Sequence, residues 1–272
     1  MNRTLSLFAA AAALGMAVPA AGWAQQQGDP DDEWCDRRGR GRDRDERYCE
    51  VREFTLDARD LVTVDAGPNG GIEVEGWDRN EILVRARVQT WSEDDDPADI
   101  VLEIEIITGS EIRAEGPRFR GRSGNRWSVS FAIMVPRESD LSLESVNGGI
   151  GISAVTGDMD FRTTNGGISL VGVSGDVRGS TTNGGLHVEL DGEEWVGRGL
   201  DVRTINGGVN LEIPENFRAD LEIGTRNGGF EIDFPIVLQG RINRRQIRTE
   251  LNGGGTLIRA VTTNGGVRVR RR

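Results

Sequence analysis

The residues able to do chemistry are few, and their spacing brings no catalytic set together. His187 is the single histidine, which leaves no second imidazole for a metal cluster and no partner for a His-based triad. Leu186 and Val188 flank it in an alternating stretch, so it reads as a residue on the outward side of a strand. Lysine is absent, the 33 basic residues all being Arg, and this excludes Walker-type phosphate binding and Schiff-base chemistry. No cofactor motif is present. Carboxylates are plentiful, and three of them, Glu189, Glu212 and Asp233, stand six residues after Asn183, Asn206 and Asn227, each the first residue of an Asn-Gly-Gly tripeptide. Stacked in register they would form a column of like charges about 5 Å apart, which splays into water or recruits a cation such as calcium. The equivalent residues of earlier units are Ser153 and Val171, and calcium-binding roll repeats place Asp inside the glycine turn instead. A solvated face is therefore the favoured reading. A second column, Asp160, Arg178, Asp201 and Glu222, alternates in sign through its first three members and reads as structural. The Arg-rich stretch 118–126, with Phe119 and nearby Trp127, has the forked guanidinium groups to hold an anionic glycan or phosphate, and competes with an ordinary solvated loop. Arg268 to Arg272 carries the same ambiguity. Nucleic acid is disfavoured as a partner by the net charge of −11.

Whatever positions these residues must be periodic, because the glycines are. Glycine supplies 38 residues and proline 8, and since Gly does not recur every third residue the chain is not collagen-like. Asn-Gly-Gly occurs eight times, beginning at Asn69, Asn147, Asn165, Asn183, Asn206, Asn227, Asn252 and Asn264. From Asn147 the intervals are 18, 18, 23, 21, 25 and 12 residues. The flanks recur as well, with Thr-Thr preceding Asn165, Asn183 and Asn264. After the tripeptides apolar and polar residues alternate, as in Ile150 and Ile152, Ile168 and Leu170, or Val209 and Leu211, and a period of two marks a strand with one buried face. A second turn at Gly157 or Gly175 leads into another strand, so each unit is turn, strand, turn, strand. Two all-β architectures fit. Asn-Gly is the strongest local hairpin signal, which suits an antiparallel β-meander. In a single-domain β-solenoid, equivalent Asn side chains stand about 4.8 Å apart and can bond along a ladder, which favours identity at that position. The repetition of whole Thr-Thr-Asn-Gly-Gly strings favours the solenoid over residues 51–272, with regular repeats over 141–272. Residues 82–88, 100–107 and 127–135 read as further strands, with a helical turn allowed at 97–100.

Ahead of this domain, residues 1–24 combine Arg3, an Ala-rich apolar run and small residues at 22 and 24, the pattern of a secretory signal peptide. The apolar run is too short to span a membrane. Residues 25–50 are a charged linker bracketed by Cys35 and Cys49. In an exported chain these two read as one disulfide, free thiols or intermolecular bridges being the alternative.

Repeated Asn-Gly-Gly turns after Val, Thr or Ser carry a family resemblance, together with Val135-Pro136 before Leu141-Ser142-Leu143. So do the ending Leu251-Asn-Gly-Gly-Gly-Thr-Leu-Ile-Arg and the following Thr263-Asn-Gly-Gly-Val-Arg-Val. Over residues 51–272 the chain resembles the bacterial putative adhesin family, an exported domain of unknown function. The resemblance implies a right-handed β-helix-like fold in the cell envelope and no established enzymatic activity, and it carries over no catalytic residues. The expectation is a non-catalytic, adhesin-like exported protein of the cell envelope, in the periplasm, on the cell surface or secreted. Its rigid face would bind extended partners such as glycans or envelope proteins. The rivals are a polysaccharide-active β-helix enzyme and a purely structural or stress-responsive envelope protein. The short Asn252 unit and the Arg-rich tail are expected to cap the carboxyl-terminal end of the stack.

Overall fold

The computed structural model describes residues 29, 33–35, 46–93, 96–119, 125–233 and 245–272. The predicted signal peptide, most of the charged linker and the centre of the Arg-rich stretch lie outside the described residues. Two ten-stranded sheets face each other, and each Asn-Gly-Gly except that of Asn252 is a corner at which the chain passes from one sheet to the other. Thr156–Asn165 runs in the first sheet, turns at Gly166 and Gly167, and continues as Ile168–Val171 in the second. Ser174–Asn183 with Leu186–Glu189, and Gly199–Asn206 with Val209–Ile213, repeat that path. Neighbouring coils pair in parallel and in identical register, Asn165 to Asn183 to Asn206 in one sheet and Ile168 to Leu186 to Val209 in the other. Parallel pairing between equivalent residues is the solenoid arrangement.

The core fills the space between the sheets. Ile150, Ile168, Leu186, Val209 and Val267 form one column of side chains, each at most 2% exposed, and Val177, Leu200 and Ile258 point at them from the opposite sheet. One site in the core requires glycine: a Cβ on Gly179 would stand 1.8 Å from the Phe161 ring, which occupies that space.

The corners explain why the tripeptide and its preceding Thr repeat together. Thr163, Thr181, Thr204, Thr262 and Thr225 each donate a hydroxyl hydrogen bond of 2.7–2.8 Å to the carbonyl of the first glycine of an adjacent coil. This satisfies an acceptor that the corner would otherwise bury unpaired. The asparagines form a ladder. Asn147, Asn165, Asn183, Asn206 and Asn264 each donate from Nδ2 to the Oδ1 of the preceding asparagine, and Asn227 donates to Asn264, at 2.7–3.2 Å.

Three features depart from the expected order. The carboxyl-terminal coil, Leu257–Asn264 and Val267–Arg271, does not cap the stack. It is inserted between the Gly199–Ile213 coil and the coil of Ala219–Asn227 and Phe230–Ile232. Asn252 stands outside the ladder; its φ is +49° and its amide donates to the carbonyls of Glu215 and Phe217. At the other end the architecture becomes an antiparallel meander, with Glu46–Asp57 beside Glu81–Ser92 beside Arg126–Pro136. Residues 100–102 are helical rather than extended, within Pro97–Leu102. Asp96 caps that helix by accepting from the Ala98 amide, Pro97 occupies its first turn, and Ile100 and Val101 bury its inner side.

The inserted coil reorders the charges. Along one outer face the register runs Asp160, Arg178, Asp201, Arg259, Glu222, Arg248, an alternation in sign over six strands. Arg259 pairs with Asp201 at 2.8 Å and with Glu222 at 3.0 Å, and Arg248 pairs with Glu222 at 2.8 Å. Without the insertion Glu222 would face Asp201 directly, and like charges across a strand pair are destabilising.

Candidate functional site

The expected carboxylate column does not form. Glu189 stands beside Glu212, but Arg270 follows Glu212, and Asp233 lies beyond it, paired with Arg270 at 3.8 Å. Arg272 also bonds to Glu189. The guanidinium groups neutralise the acids that a cation would have served. Among the described residues no group of three or more His, Cys, Asp or Glu is placed to hold a metal ion. Of the Arg-rich stretch, Asn125 accepts from Ser92 at 2.7 Å, and Arg126 lies 5.9 Å from the Trp91 ring.

A groove of about 1110 Å³ lies instead on the outer face of the sheet containing Ile168–Val171. Its floor is the column four residues after each ladder asparagine: Glu73, Gly151, Ser169, His187, Asn210, Arg268 and Glu231. Alternation points these residues outward because Ile150, Ile152 and their counterparts point in. Beside the floor runs the column of second glycines, Gly71, Gly149, Gly167, Gly185, Gly208, Gly266 and Gly229. At about 4.8 Å per coil the six steps span roughly 29 Å. Sequence reasoning stacked the sixth position after each Asn and missed the fourth, although the same count would have assembled it.

The two glycine columns differ. A Cβ on the first glycine of a ladder tripeptide would meet a backbone carbonyl oxygen of the adjacent coil at 1.8–2.1 Å. On the second glycine the nearest atom would be 3.2–3.6 Å away, or beyond 4 Å at Gly229. None of the second glycines has φ in the left-handed region. A side chain there would fill the groove rather than break the corner.

The floor is polar and only partly paired. Arg268 donates to Glu231 at 2.6 and 2.9 Å. Asn210 Nδ2 donates to Glu212 Oε1 at 3.3 Å and stands 3.1 Å from His187 Nδ1. A carboxylate only accepts, so the amide nitrogen faces both partners, His187 Nδ1 is the acceptor, and in the neutral ring the proton resides on Nε2. Glu73 and Ser169 have no side-chain hydrogen bond or ion pair among the described residues, and the Glu73 carboxylate lies over Gly151, where a Cβ would approach it to 2.3 Å.

Burial in the groove, reinforced by the Glu75 carboxylate, raises the Glu73 pKa. The folded state therefore holds this proton more tightly than the unfolded chain. The resulting stability is fully present below the unfolded pKa and is lost as pH rises through the folded one. Glu73→Gln is expected to raise stability near neutral pH by a few tenths of a kcal/mol, the gain being small because the side chain keeps solvent contact. Melting temperatures near neutrality and below the ordinary Glu range test this. An equal gain at both would remove the electrostatic account.

Aromatic residues gather at the Glu73 end. Trp34 lines the groove, with the Arg87 guanidinium 4.8 Å from its ring and Arg85 at 5.9 Å. The adjacent Cys35–Cys49 disulfide ties Trp34 to the Glu46–Asp57 strand. A smaller depression of about 540 Å³, lined by Trp91, Trp127 and Gln89, shares Gly71, Arg87 and Ser130 with the groove and extends it.

The Toastrack DUF4097 family profile covers residues 120–270, more than half of the chain. The chain belongs to the Toastrack DUF4097 family. No curated protein matches this Toastrack chain. The solved structures similar to it include the following three. A putative cell adhesion protein from Clostridium sporogenes is 7% identical, with 84% of this chain and 100% of that one covered and a TM-score of 0.41. A putative lipid binding protein from Parabacteroides distasonis is 8% identical over 82% of this chain and 96% of its own, with a TM-score of 0.31. A putative adhesin from Parabacteroides merdae is 8% identical over the same shares, with a TM-score of 0.28. Likeness at this level bears on no ligand. Among the described residues no helix is long and apolar enough to cross a membrane.

Proposed function

We propose that this Toastrack protein is an exported, non-catalytic, adhesin-like envelope protein that holds an extended partner along the groove. The observation that carries the reading is the groove itself, continuous over seven coils and floored by polar groups. Export is supported by the leader-like residues 1–24 and by the Cys35–Cys49 disulfide. Glycans and envelope proteins are both extended enough to lie in it. A glycoside hydrolase needs two carboxyl groups about 5–9.5 Å apart across one bond. Glu73 and Glu231, the acids of the groove floor, stand at opposite ends, roughly 29 Å apart at the spacing of parallel strands, and Glu231 is held by Arg268.

The test is retention of the mature protein on washed envelope fractions, compared with Gly167→Trp, which places a large side chain where a Cβ has room. The expected result is retention by the native protein and its loss in the folded variant, with no release of reducing ends. Equal retention of both proteins, or turnover of a polysaccharide, would overturn the reading.

A further inference from the structure

Three groups of the groove floor, from its Glu73 end to its centre, have hydrogen-bonding capacity unused within the protein. Glu73, displaced over Gly151, offers carboxylate acceptors. Ser169, one coil beyond Gly151, offers a hydroxyl that both donates and accepts. His187, one coil further, has Nδ1 occupied by Asn210, which Glu212 in turn orients, so Nε2–H is its remaining donor. Acceptor, mixed group and donor thus succeed one another at about the 4.8 Å step of parallel strands. Beside them the second glycines expose backbone and leave space that any other residue would occupy. The aromatic cluster of Trp34, Trp91 and Trp127 adjoins the Glu73 end.

We infer that the groove is a subsite for a linear, non-acidic, hydroxyl-rich glycan strand lying along the solenoid axis, bound through Glu73, Ser169 and His187. This rests on the reading of the groove as the partner-binding surface. Hydroxyl groups can accept from His187, donate to Glu73 and do either with Ser169, so one repeating ligand satisfies all three. A polyanion fits poorly. It would set its carboxylates against Glu73, in a chain whose net charge is already −11. Of the cations that line the groove, Arg268 is paired with Glu231, and Arg87 donates to the Trp34 carbonyl and lies over its ring at the aromatic end. A polypeptide strand is less suited, because the floor belongs to a sheet whose backbone bonds are already made to neighbouring coils. The glycans recognised this way pack sugar faces on indole rings and hydroxyls on the polar row, the mix of apolar platform and few placed polar groups that ligand sites use.

Calorimetric titration with neutral hexasaccharides of glucose, xylose, mannose and N-acetylglucosamine, against hexagalacturonate, tests the inference. At least one neutral oligomer is expected to bind, and at least tenfold more tightly than hexagalacturonate. Ser169→Ala and His187→Ala are each expected to weaken that binding about fivefold, and Glu73→Gln more than either, while melting temperatures confirm that the variants fold. Binding by no neutral oligomer, equal or tighter binding of hexagalacturonate, or unchanged affinity in all three variants would overturn it. If the oligomers fail while Gly167→Trp still abolishes envelope retention, the ligand class is wrong and the groove remains the binding surface. If Gly167→Trp also leaves retention intact, the groove reading itself is lost.

Discussion

Gly166→Ala is expected to cost more than about 3 kcal/mol of stability, and Gly167→Ala, one residue later in the same corner, less than about 1 kcal/mol. The two substitutions are chemically identical, so the difference is geometric. A Cβ on Gly166 would stand 2.0 Å from the Gly148 carbonyl oxygen, 2.4 Å from its carbon and 2.7 Å from the Gly149 nitrogen. All three are backbone atoms of the adjacent coil, and none can rotate away. Relief would require these two coils to part where they are tightly joined, by the Asn165 amide to the Val146 carbonyl at 2.7 Å, by the Ile150 amide to the Gly167 carbonyl at 3.0 Å, by the Asn165–Asn147 rung of the ladder, and by the Thr163 hydroxyl on the Gly148 carbonyl. A Cβ on Gly167 would meet only the Gly185 carbonyl oxygen, at 3.4 Å, an ordinary contact. Alanine also restricts the unfolded chain, which by itself favours the variant by about 0.4–1 kcal/mol where the native conformation suits it. Urea unfolding of the two variants measures the contrast. Equal destabilisation would mean that the second glycine is held by the corner and not by the groove beside it.

That contrast also marks what could be read from the chain. The strands, the corners and the stacking of asparagines were legible because they recur: Thr181-Thr182-Asn183 repeats Thr163-Thr164-Asn165, and a ladder needs the same residue at every step. The order of the coils was not legible, for the same reason. Every coil offers its neighbours nearly the same backbone register, so Asn227 could stack on Asn206 as well as Asn264 does. What distinguishes the two orders lies in the side chains. Stacked in chain order, Glu222 would meet Asp201 and Asp233 would meet Glu212; the inserted coil puts Arg259 and Arg270 at those positions instead. The groove floor was countable from the tripeptides, yet its function depended on two things outside the period. One is the disulfide that carries Trp34 onto the groove from the linker. The other is the antiparallel meander that places Arg87 there, built from strands that no tripeptide directly adjoins. Residues 100–102 were misread because Ile100, Val101 and Leu102 look like strand residues, while the Asp96 cap and Pro97 start a helix just before them.

Removing residues 257–272 is expected to unfold the carboxyl-terminal part of the stack rather than fray an end. Were this segment a cap, its loss would expose one surface. As an interior coil it leaves a gap with hydrophobic walls on both sides, between Leu200 and Leu221 in one sheet and between Val209 and Phe230 in the other. Ile258, Val267 and Val269 are at most 1% exposed, and at about 1.5–3 kcal/mol for each such side chain their loss approaches the whole stability of an ordinary domain. Closing the gap is opposed by the charges, because collapse would bring Glu222 onto Asp201 and Asp233 onto Glu212. The truncated protein is therefore expected to lose protease protection over residues 199–233 while the coils before Asn183 keep theirs. A synthetic peptide of residues 256–272, added in trans, is expected to restore it. Mapping the cleavage sites with and without the peptide checks both statements, and full protection of the truncated chain would show that the interior coil is dispensable. The same geometry sets an order of folding. Ala219–Asn227 and Phe230–Ile232 have no parallel neighbour on the stack until the last residues of the chain arrive, so this coil can join only after the carboxyl terminus has threaded in beside it.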